Sequence, residues 1–413
     1  MADRSEVQNY LNGVRVLDFT QFEAGPACTE AFAWLGAEVV KVENPTSGDP
    51  GRSLGSPAPG KDGGWFQQFN ANKKSVAINL KSAEGVEIVK SLAREADVMV
   101  ENFAPGAIDR LGLGYDIIKA INPGIIYARI KGYGTGSPYE KNLSFDVVGQ
   151  ASGGAMSITG LPDGLPLKAG PTLADSGTGM LLAVSILAAL YRRKGTGQGE
   201  HIEVAMQDSI MHYMRGAFAE QMRSGVAAHR SGTRSSSVVN IPSNIFPCKP
   251  GGPNDYVYVY TSRVNPEHWT GILKVIGRED LIGDPRFSTL PARIENETEV
   301  NTMLTQWSKG LDKHAAMRML GEAGVPSGAV FDTSDLMAEK SFEDRGIIQE
   351  VDHPTLGPVK METWPARFGS TTARIAAAPL LGQHNEEVLS EWLKMPRDNI
   401  ERLKRDGLIR SKT

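Results

Sequence analysis

Cysteine is almost missing from this chain. Cys28 and Cys248 are the only two, too few and too far apart to staple a fold, and no Cys/His cluster has zinc spacing. The seven histidines are scattered, with no His-Glu-x-x-His run, so no metal is expected. Long apolar runs are also lacking: MLLAVSILAALY is the longest, shorter than the roughly 20 residues of a membrane span. The opening MADRSEVQNYLNG is polar and has no apolar centre of the kind a signal peptide needs. Charge of one sign is scarce as well. A net charge of −4 offers no basic excess for nucleic acid or an anionic membrane, and a reducing cytoplasm is the expected setting. Two ligand motifs are absent: the turn after the first strand, FTQFEAGPAC, has one glycine where a dinucleotide fold needs Gly-x-Gly-x-x-Gly, and no Gly-x-x-x-x-Gly-Lys-Ser/Thr occurs.

What is present is an alternation. VRVLDFT reads as a buried strand, AGPACTEAFAWLG as a helix and AEVVKVE as a second strand. After a Gly/Pro/Ser-rich loop (residues 44–64) follow SVAINL, the helical SAEGVEIVKSLAREA, DVMVENF, helical turns over 105–121, and IIYARI. Strands alternating with helices predict an α/β fold with a doubly wound parallel sheet. Ligands of such sheets bind beyond the C-terminal strand ends, which sets FTQFEAGP, ENFAPG and IKGYGTG around one crevice. Residues 225–243 read as an exposed connection, and a hairpin over 245–262 and helices over 266–276 and 300–320 suggest a smaller α+β unit. A second hairpin is expected at IIQEVDHPTLGPVKMETWP, and the tail is helical in two pieces. The division expected is a large domain (1–210), a linker (211–244), a small cap domain (245–330), and a return linker with C-terminal helices completing the large domain (331–413).

One stretch concentrates chemistry. In GPTLADSGTGMLLAVSILAALYRRKGTGQGEHIEVAMQD an isolated carboxylate, Asp175, precedes a small-residue turn and an apolar helix over 180–193. At a helix start, unpaired N–H groups and the dipole favour a carboxylate's ionised form. Asp is also a preferred N-cap residue, so Asp175 reads either as a plain cap or as a reactive acid. Gly177 and Gly179 read either as room for a substrate or as relief of crowding.

FTQFEAGPACTEAFAWLGAEVVKVENPTSGDPGR, FNANKKSVAINLKSAEG, ADVMVENFAPGAIDRLGLGY, GQASGGAMSITG, ADSGTGM, AALYRRKGTGQGEHIEVAMQD and APLLGQHNEEVL resemble the successive blocks of the class III CoA-transferases, the formyl-CoA transferase and carnitine CoA-transferase family. The resemblance spans nearly the whole chain. It implies transfer of coenzyme A, supplied as an acyl-CoA substrate, to a carboxylic acid through mixed anhydrides and an aspartyl-CoA thioester, with Asp175 at the matching nucleophile position. It also implies an interlocked, ring-like homodimer. The family's polar residue after the first strand, often glutamine, is Glu23 here. For CoA the match points to Ala24, Ile78 to Lys81, Asn102, Phe103, Ala104, Arg110 and the segment Asn142 to Phe145. Asn44 stands where formyl-CoA transferases have an arginine, which leaves a phosphate contact missing or supplied by Lys41 or Arg52.

Within that superfamily the alternative is α-methylacyl-CoA racemisation. Those racemases place histidine before the aspartate that is Asp146 here, and this chain has Phe145 there. Without an imidazole the acid/base pair is incomplete. A CoA-binding homologue without turnover is the third reading. The glycine run of oxalate-using relatives is replaced by SSSVVNIPSNIFPCK, so formyl-CoA with oxalate stands beside succinyl-CoA or another small dicarboxylate.

Overall fold

Short runs of branched apolar residues become six parallel strands in the computed structural model, which describes residues 10–58, 61–234, 239–369 and 371–411. Most of the polar opening stretch, residues 59–60 of the Gly/Pro/Ser loop and 235–238 of the expected connection lie outside the described residues. Through residue 213 the chain runs β1 (Arg15–Asp18), α1 (Ala24–Trp34), β2 (Glu38–Glu43), α2 (Gly64–Asn70), β3 (Lys74–Ala77), α3 (Ala83–Glu95), β4 (Val98–Glu101), α4 (Ala107–Arg110), α5 (Tyr115–Ile121) and β5 (Ile126–Lys131). It continues through α6 (Asp146–Ser152), α7 (Ala155–Ile158), α8 (Ser176–Thr196), β6 (Glu200–Ala205) and α9 (Met206–Tyr213).

The sheet order is β3-β2-β1-β4-β5-β6, with every pair parallel. Alternate strand residues enter opposite cores, which is why these strands read as nearly unbroken apolar runs. In β1, Leu17 packs in the core that holds Val89 and Leu92 of α3, while Val16 packs in the core of Phe32 of α1 and Leu182 and Ile186 of α8. Each such side chain contributes about 1.5–3 kcal/mol by leaving water. The strand order reverses between β1 and β4. Connections leave these two strands toward opposite sides, and a crevice opens at their C-terminal ends.

Helix α8 is longer than its apolar pattern suggests. Its first turn is the small-residue segment itself, and Gly197, at a left-handed φ of 70°, stops it.

The chain divides into two compact units: residues 1–155, 168–213 and 341–413 form the first, and 156–167 and 214–340 the second. The second holds α10 (Arg215–Ser224), β7 (Ser243–Pro247), β8 (Tyr256–Tyr260), α11 (Glu267–Val275), α12 (Leu290–Glu295), α13 (Glu297–Ser308), α14 (Lys313–Glu322), β9 (Ser327–Ala329) and α15 (Thr333–Ala338). β7, β8 and β9 form an antiparallel sheet. The single helix expected over 300–320 is two, because Gly310 follows the first and the Asp312 side chain caps the second by accepting from Ala315 N at 2.9 Å. Much of the expected linker belongs to this unit too. Arg230 donates to the carbonyls of Ser157, Leu161 and Gly164, fastening 156–167 to the residues after α10.

The first unit is completed by α16 (Lys340–Asp344), the antiparallel hairpin of β10 (Ile348–His353) and β11 (Gly357–Glu362), α17 (Asn385–Leu393) and α18 (Arg397–Arg405). Val388, Leu389, Trp392, Ile400 and Leu403 join the α3 core. The strand expected over SVAINL ends at Ala77, since Ile78 instead bridges to Ile409 and Asn385 Oδ1 accepts from Ala77 N at 2.8 Å. Among the described residues no helix is long and apolar enough to cross a membrane.

Candidate active site

The turn that follows β1 is held from several sides. Gln21 N donates to Asn102 Oδ1 at 2.8 Å and Asn102 Nδ2 returns a bond to Gln21 O at 2.9 Å. Phe22 N donates to Asp49 Oδ1 at 3.1 Å. These bonds stabilise Phe22 at φ 63°, a left-handed backbone that a bulky residue rarely adopts. The result is that Glu23, at the start of α1, faces inward from behind β1. It is 1% exposed. Its Oε1 accepts from Thr172 Oγ1 and, at 2.7 Å, from Ser176 Oγ; its Oε2 is buried with no hydrogen-bond partner among the described residues.

Asp175 precedes α8 with helical dihedrals (φ −83°, ψ −78°), and its side chain does not cap the helix. The plain-cap reading therefore fails: Oδ1 is buried and has no partner among the described residues. Asp146, in the first turn of α6, sets the backbone here. Its Oδ1 accepts from Ala174 N at 2.9 Å and Asp175 N at 3.3 Å, and its Oδ2 from Gln150 Nε2 at 2.8 Å.

The expectation that the helix start favours ionised Asp175 is overturned. Burial first, then the neighbouring Glu23 and Asp146 carboxyls, push Asp175 up to about 7, because desolvation and like charge together outweigh a helix end. Burial raises Glu23 as well, against the two hydroxyl bonds that lower it.

Glu23 and Asp175 line a cavity of about 390 Å³ with Ala24, Asn102, Phe103, Ala104, Lys131, Asn142, Phe145 and others. It lies where the strand order reverses. Phe103 is half-buried against the α3 core, and Phe145 is exposed, with its ring edge-on to Phe22 at 6.0 Å. A second cavity, of about 550 Å³, shares Ala104, Pro105, Lys131 and Leu143 with the first and carries Arg110, Arg129 and Lys141.

Of the residues singled out for CoA, Asn44 and the whole run Ile78 to Lys81 line neither cavity. Asn44 is exposed and turns its Oδ1 to Thr46 N and Ser47 N. Ile78 is a core residue, and Lys81 is exposed beyond β3. The substitute cations are also ruled out. Lys41 is fully buried on Asp49 at 2.8 Å, and Arg52 is held by Glu43 and Asp62 at 2.7 and 2.6 Å, so neither has charge left for a phosphate. The glycines serve packing. A Cβ on Gly179 would lie 2.4 Å from Ala24 O, and one on Gly177 would lie 3.0 Å from the Tyr213 ring.

Sequence reasoning passed over Thr172, Ser176 and Lys131, and used Asp146 only as a landmark. Thr172 and Ser176 flank Asp175 at −3 and +1, a pattern that one helical turn brings to the same side.

A Rossmann-ordered sheet with a desolvated acid in a cavity at its switch point defines an α/β protein with a candidate active site at the usual ligand crevice of that fold. The model of the CoA-transferase family III matches residues 11–385. The formyl-CoA:oxalate CoA-transferase of Streptomyces coelicolor is 39% identical over 412 residues, covering 97% of this chain and 99% of that one. The protein of the same name from Rhodopseudomonas palustris is 38% identical over 402 residues, covering 93% of each. A CAIB/BAIF family protein from Brucella suis has the same fold, with TM-score 0.82 and 30% identity over 92% of this chain and 99% of that one. The chain belongs to CoA-transferase family III and is an enzyme of that class. Its substrates are accordingly a CoA thioester and a carboxylate.

Proposed function

We propose that the enzyme moves CoA from an acyl-CoA donor to a carboxylate acceptor through covalent intermediates on Asp175, with formyl-CoA and oxalate as the pair to test first because full-length relatives carry that name. The observation that carries this reading is the buried, unpartnered Oδ1 of Asp175 in the cavity wall.

In this reading the Asp175 carboxylate attacks the thioester carbonyl, forming a mixed anhydride and expelling CoA thiolate. The thiolate attacks the aspartyl carbonyl, forming an aspartyl-CoA thioester and releasing the donor acid as carboxylate. The acceptor carboxylate then attacks that thioester, expelling thiolate and leaving an acceptor-aspartyl anhydride. Attack of the thiolate on the acceptor carbonyl yields the new acyl-CoA and restores Asp175. Each step passes through a tetrahedral oxyanion, for which α1 offers the N–H groups of Ala24 and Gly25, Pro26 having none and Ala27 N being bonded to Glu23 O, with Ala24 at the cavity wall. Arg110, with its planar fork, and Lys141 supply positive charge for phosphates in the adjoining cavity, whereas Arg129 is paired with Glu203 at 2.7 Å. The homodimer belongs to the same reading, supported by Val184 and Tyr191 of α8, which are exposed in the single chain.

Racemisation is disfavoured because no histidine is among the residues described as lining the cavity. Wild-type protein incubated with acyl-CoA and trapped with hydroxylamine should carry the modification at Asp175 by mass spectrometry. Asp175→Ala should bind CoA and give neither adduct nor turnover. Turnover by that variant, or deuterium uptake at an α-carbon without exchange between acids, sinks the proposal.

A further inference from the structure

Lys41 of β2 and Asp49 in the loop after it are buried, pair at 2.8 Å and line neither cavity. A buried ion pair contributes little net stability over apolar residues of the same volume, because desolvating both charges offsets their attraction. Its use here lies in what it holds. Lys41 Nζ donates to Thr20 O at 2.6 Å, and Asp49 Oδ1 accepts from Phe22 N at 3.1 Å and from Gly51 N at 2.8 Å. Asp49 is anchored in turn, since its own N–H donates to Glu43 Oε2 at 2.9 Å and Arg52 holds Glu43. Burial works to raise the Asp49 carboxyl, but the Lys41 ammonium, then the N–H groups of Gly51 and Phe22, keep it below its usual range. The acceptor that meets Phe22 is therefore charged, which strengthens the bond.

The turn between β1 and α1 needs such a brace. Phe22 sits at φ 63°, where a bulky side chain crowds the backbone and stays only when its surroundings over-determine it. Asn102, just after β4, grips the turn through Gln21, and the Lys41–Asp49 pair grips it from the side of β2. Gln21, Phe22, Glu23 and Ala24 all line the cavity that holds Asp175. The turn also bears on α1: a Cβ on Gly25 would lie 2.3 Å from Thr20 Cβ, so the helix start has no room to move independently of Thr20. A return of Phe22 to negative φ would turn the peptides that follow it and carry the Ala24 and Gly25 N–H groups away from Asp175.

We propose that Lys41 and Asp49 are positioning residues for the transfer reaction: the pair holds Phe22 in its left-handed backbone and so fixes the first N–H groups of α1 against the carbonyl that reacts at Asp175. This rests on the Asp175 reading above. Neither residue touches the substrate, and both act through the turn.

The test compares two full-length variants that lack both charges, because a lone buried lysine or aspartate is strongly destabilising. Lys41→Met/Asp49→Asn keeps an oxygen for Phe22 N and Gly51 N, and Lys41→Met/Asp49→Ala removes it. Turnover is measured with formyl-CoA or succinyl-CoA as donor and oxalate as acceptor, and is expressed per folded site from urea unfolding curves. The variant with alanine should lose about 100-fold in kcat and the one with asparagine about tenfold or less, with KM for the acyl-CoA moving less than kcat in both. Equal kcat per folded site in the two variants overturns the proposal, since a purely structural pair would act on the folded fraction alone. Adding Phe22→Gly to both should shrink the difference between them to about threefold or less, because glycine takes a positive φ without crowding. A difference that persists at full size in the glycine background also overturns it. Failure of the Asp175 reading shows itself separately, as a wild-type enzyme that turns over without a hydroxylamine-trapped adduct while the difference between the two variants persists.

Discussion

At the scale of single residues, the site turns on where one proton resides. With Asp175 raised to about 7 and active only as a carboxylate, kcat/KM should fall about tenfold per pH unit below that value and level off above it. The limb belongs to the neighbouring pair of Asp175 and Glu23 rather than to one acid. Asp146→Asn keeps an oxygen for Ala174 N and Asp175 N and removes a charge that raises Asp175. Its limb should move toward acid, by roughly one pH unit or less, with the plateau retained; a profile that moves the other way counts against the electrostatic account. Asp175 itself was legible in the sequence, as an isolated acid before small residues and an apolar helix. Its ionisation was not. The groups that desolvate and repel it come from the starts of α1 and α6, and only the fold brings them together.

At the scale of elements, α1 and α8 cross closely enough that a backbone carbonyl occupies the space of a missing side chain. Gly179→Ala would press a methyl to 2.4 Å from Ala24 O, so one helix must shift. Overpacking of this kind costs about 1–3 kcal/mol, measurable as a lower urea midpoint with unchanged m-value, and it moves the Glu23 and Asp175 helix starts apart. The parallel strands were legible because both faces of each are buried, leaving runs such as VVKV and VMV that suit no exposed element. β9 was not legible. Its Ser-Gly-Ala carries no branched or aromatic side chain and is a strand only because β8 offers it an edge. The break between α13 and α14 was marked by Gly310 and Asp312, but a continuing apolar period across them concealed it.

At the scale of the first unit, a buried ion network joins distant segments. Arg52 is bidentate to Glu43 at 2.7 Å, bonds Asp62 at 2.6 Å, and reaches Pro379 O at 3.1 Å from both terminal nitrogens. Its guanidinium lies 3.7 Å from the Phe66 ring centroid. Removing the guanidinium takes the bonded cation from the buried Glu43 and Asp62, so Arg52→Ala should lose about 3–5 kcal/mol in urea unfolding. Glu43 is lowered below 4.5 despite its burial, by Arg52 foremost. Stability from this depressed acid is complete above its unfolded pKa and is lost as pH falls through the folded one. The deficit of Arg52→Ala should therefore be full at neutral pH and narrow below about pH 4.5. No pattern in the sequence marks this pairing, since Arg52 lies in a loop that reads as solvent-exposed.

The last stretch of chain covers what the first built. β3 is an edge strand, closed by the Ile78–Ile409 bridge, and α3 waits for Val388, Leu389 and Trp392. During synthesis all of residues 214–340 must emerge before that cover arrives. A chain stalled ahead of α17 would display an open strand edge beside a bare apolar surface, the combination that invites aggregation or capture by chaperones.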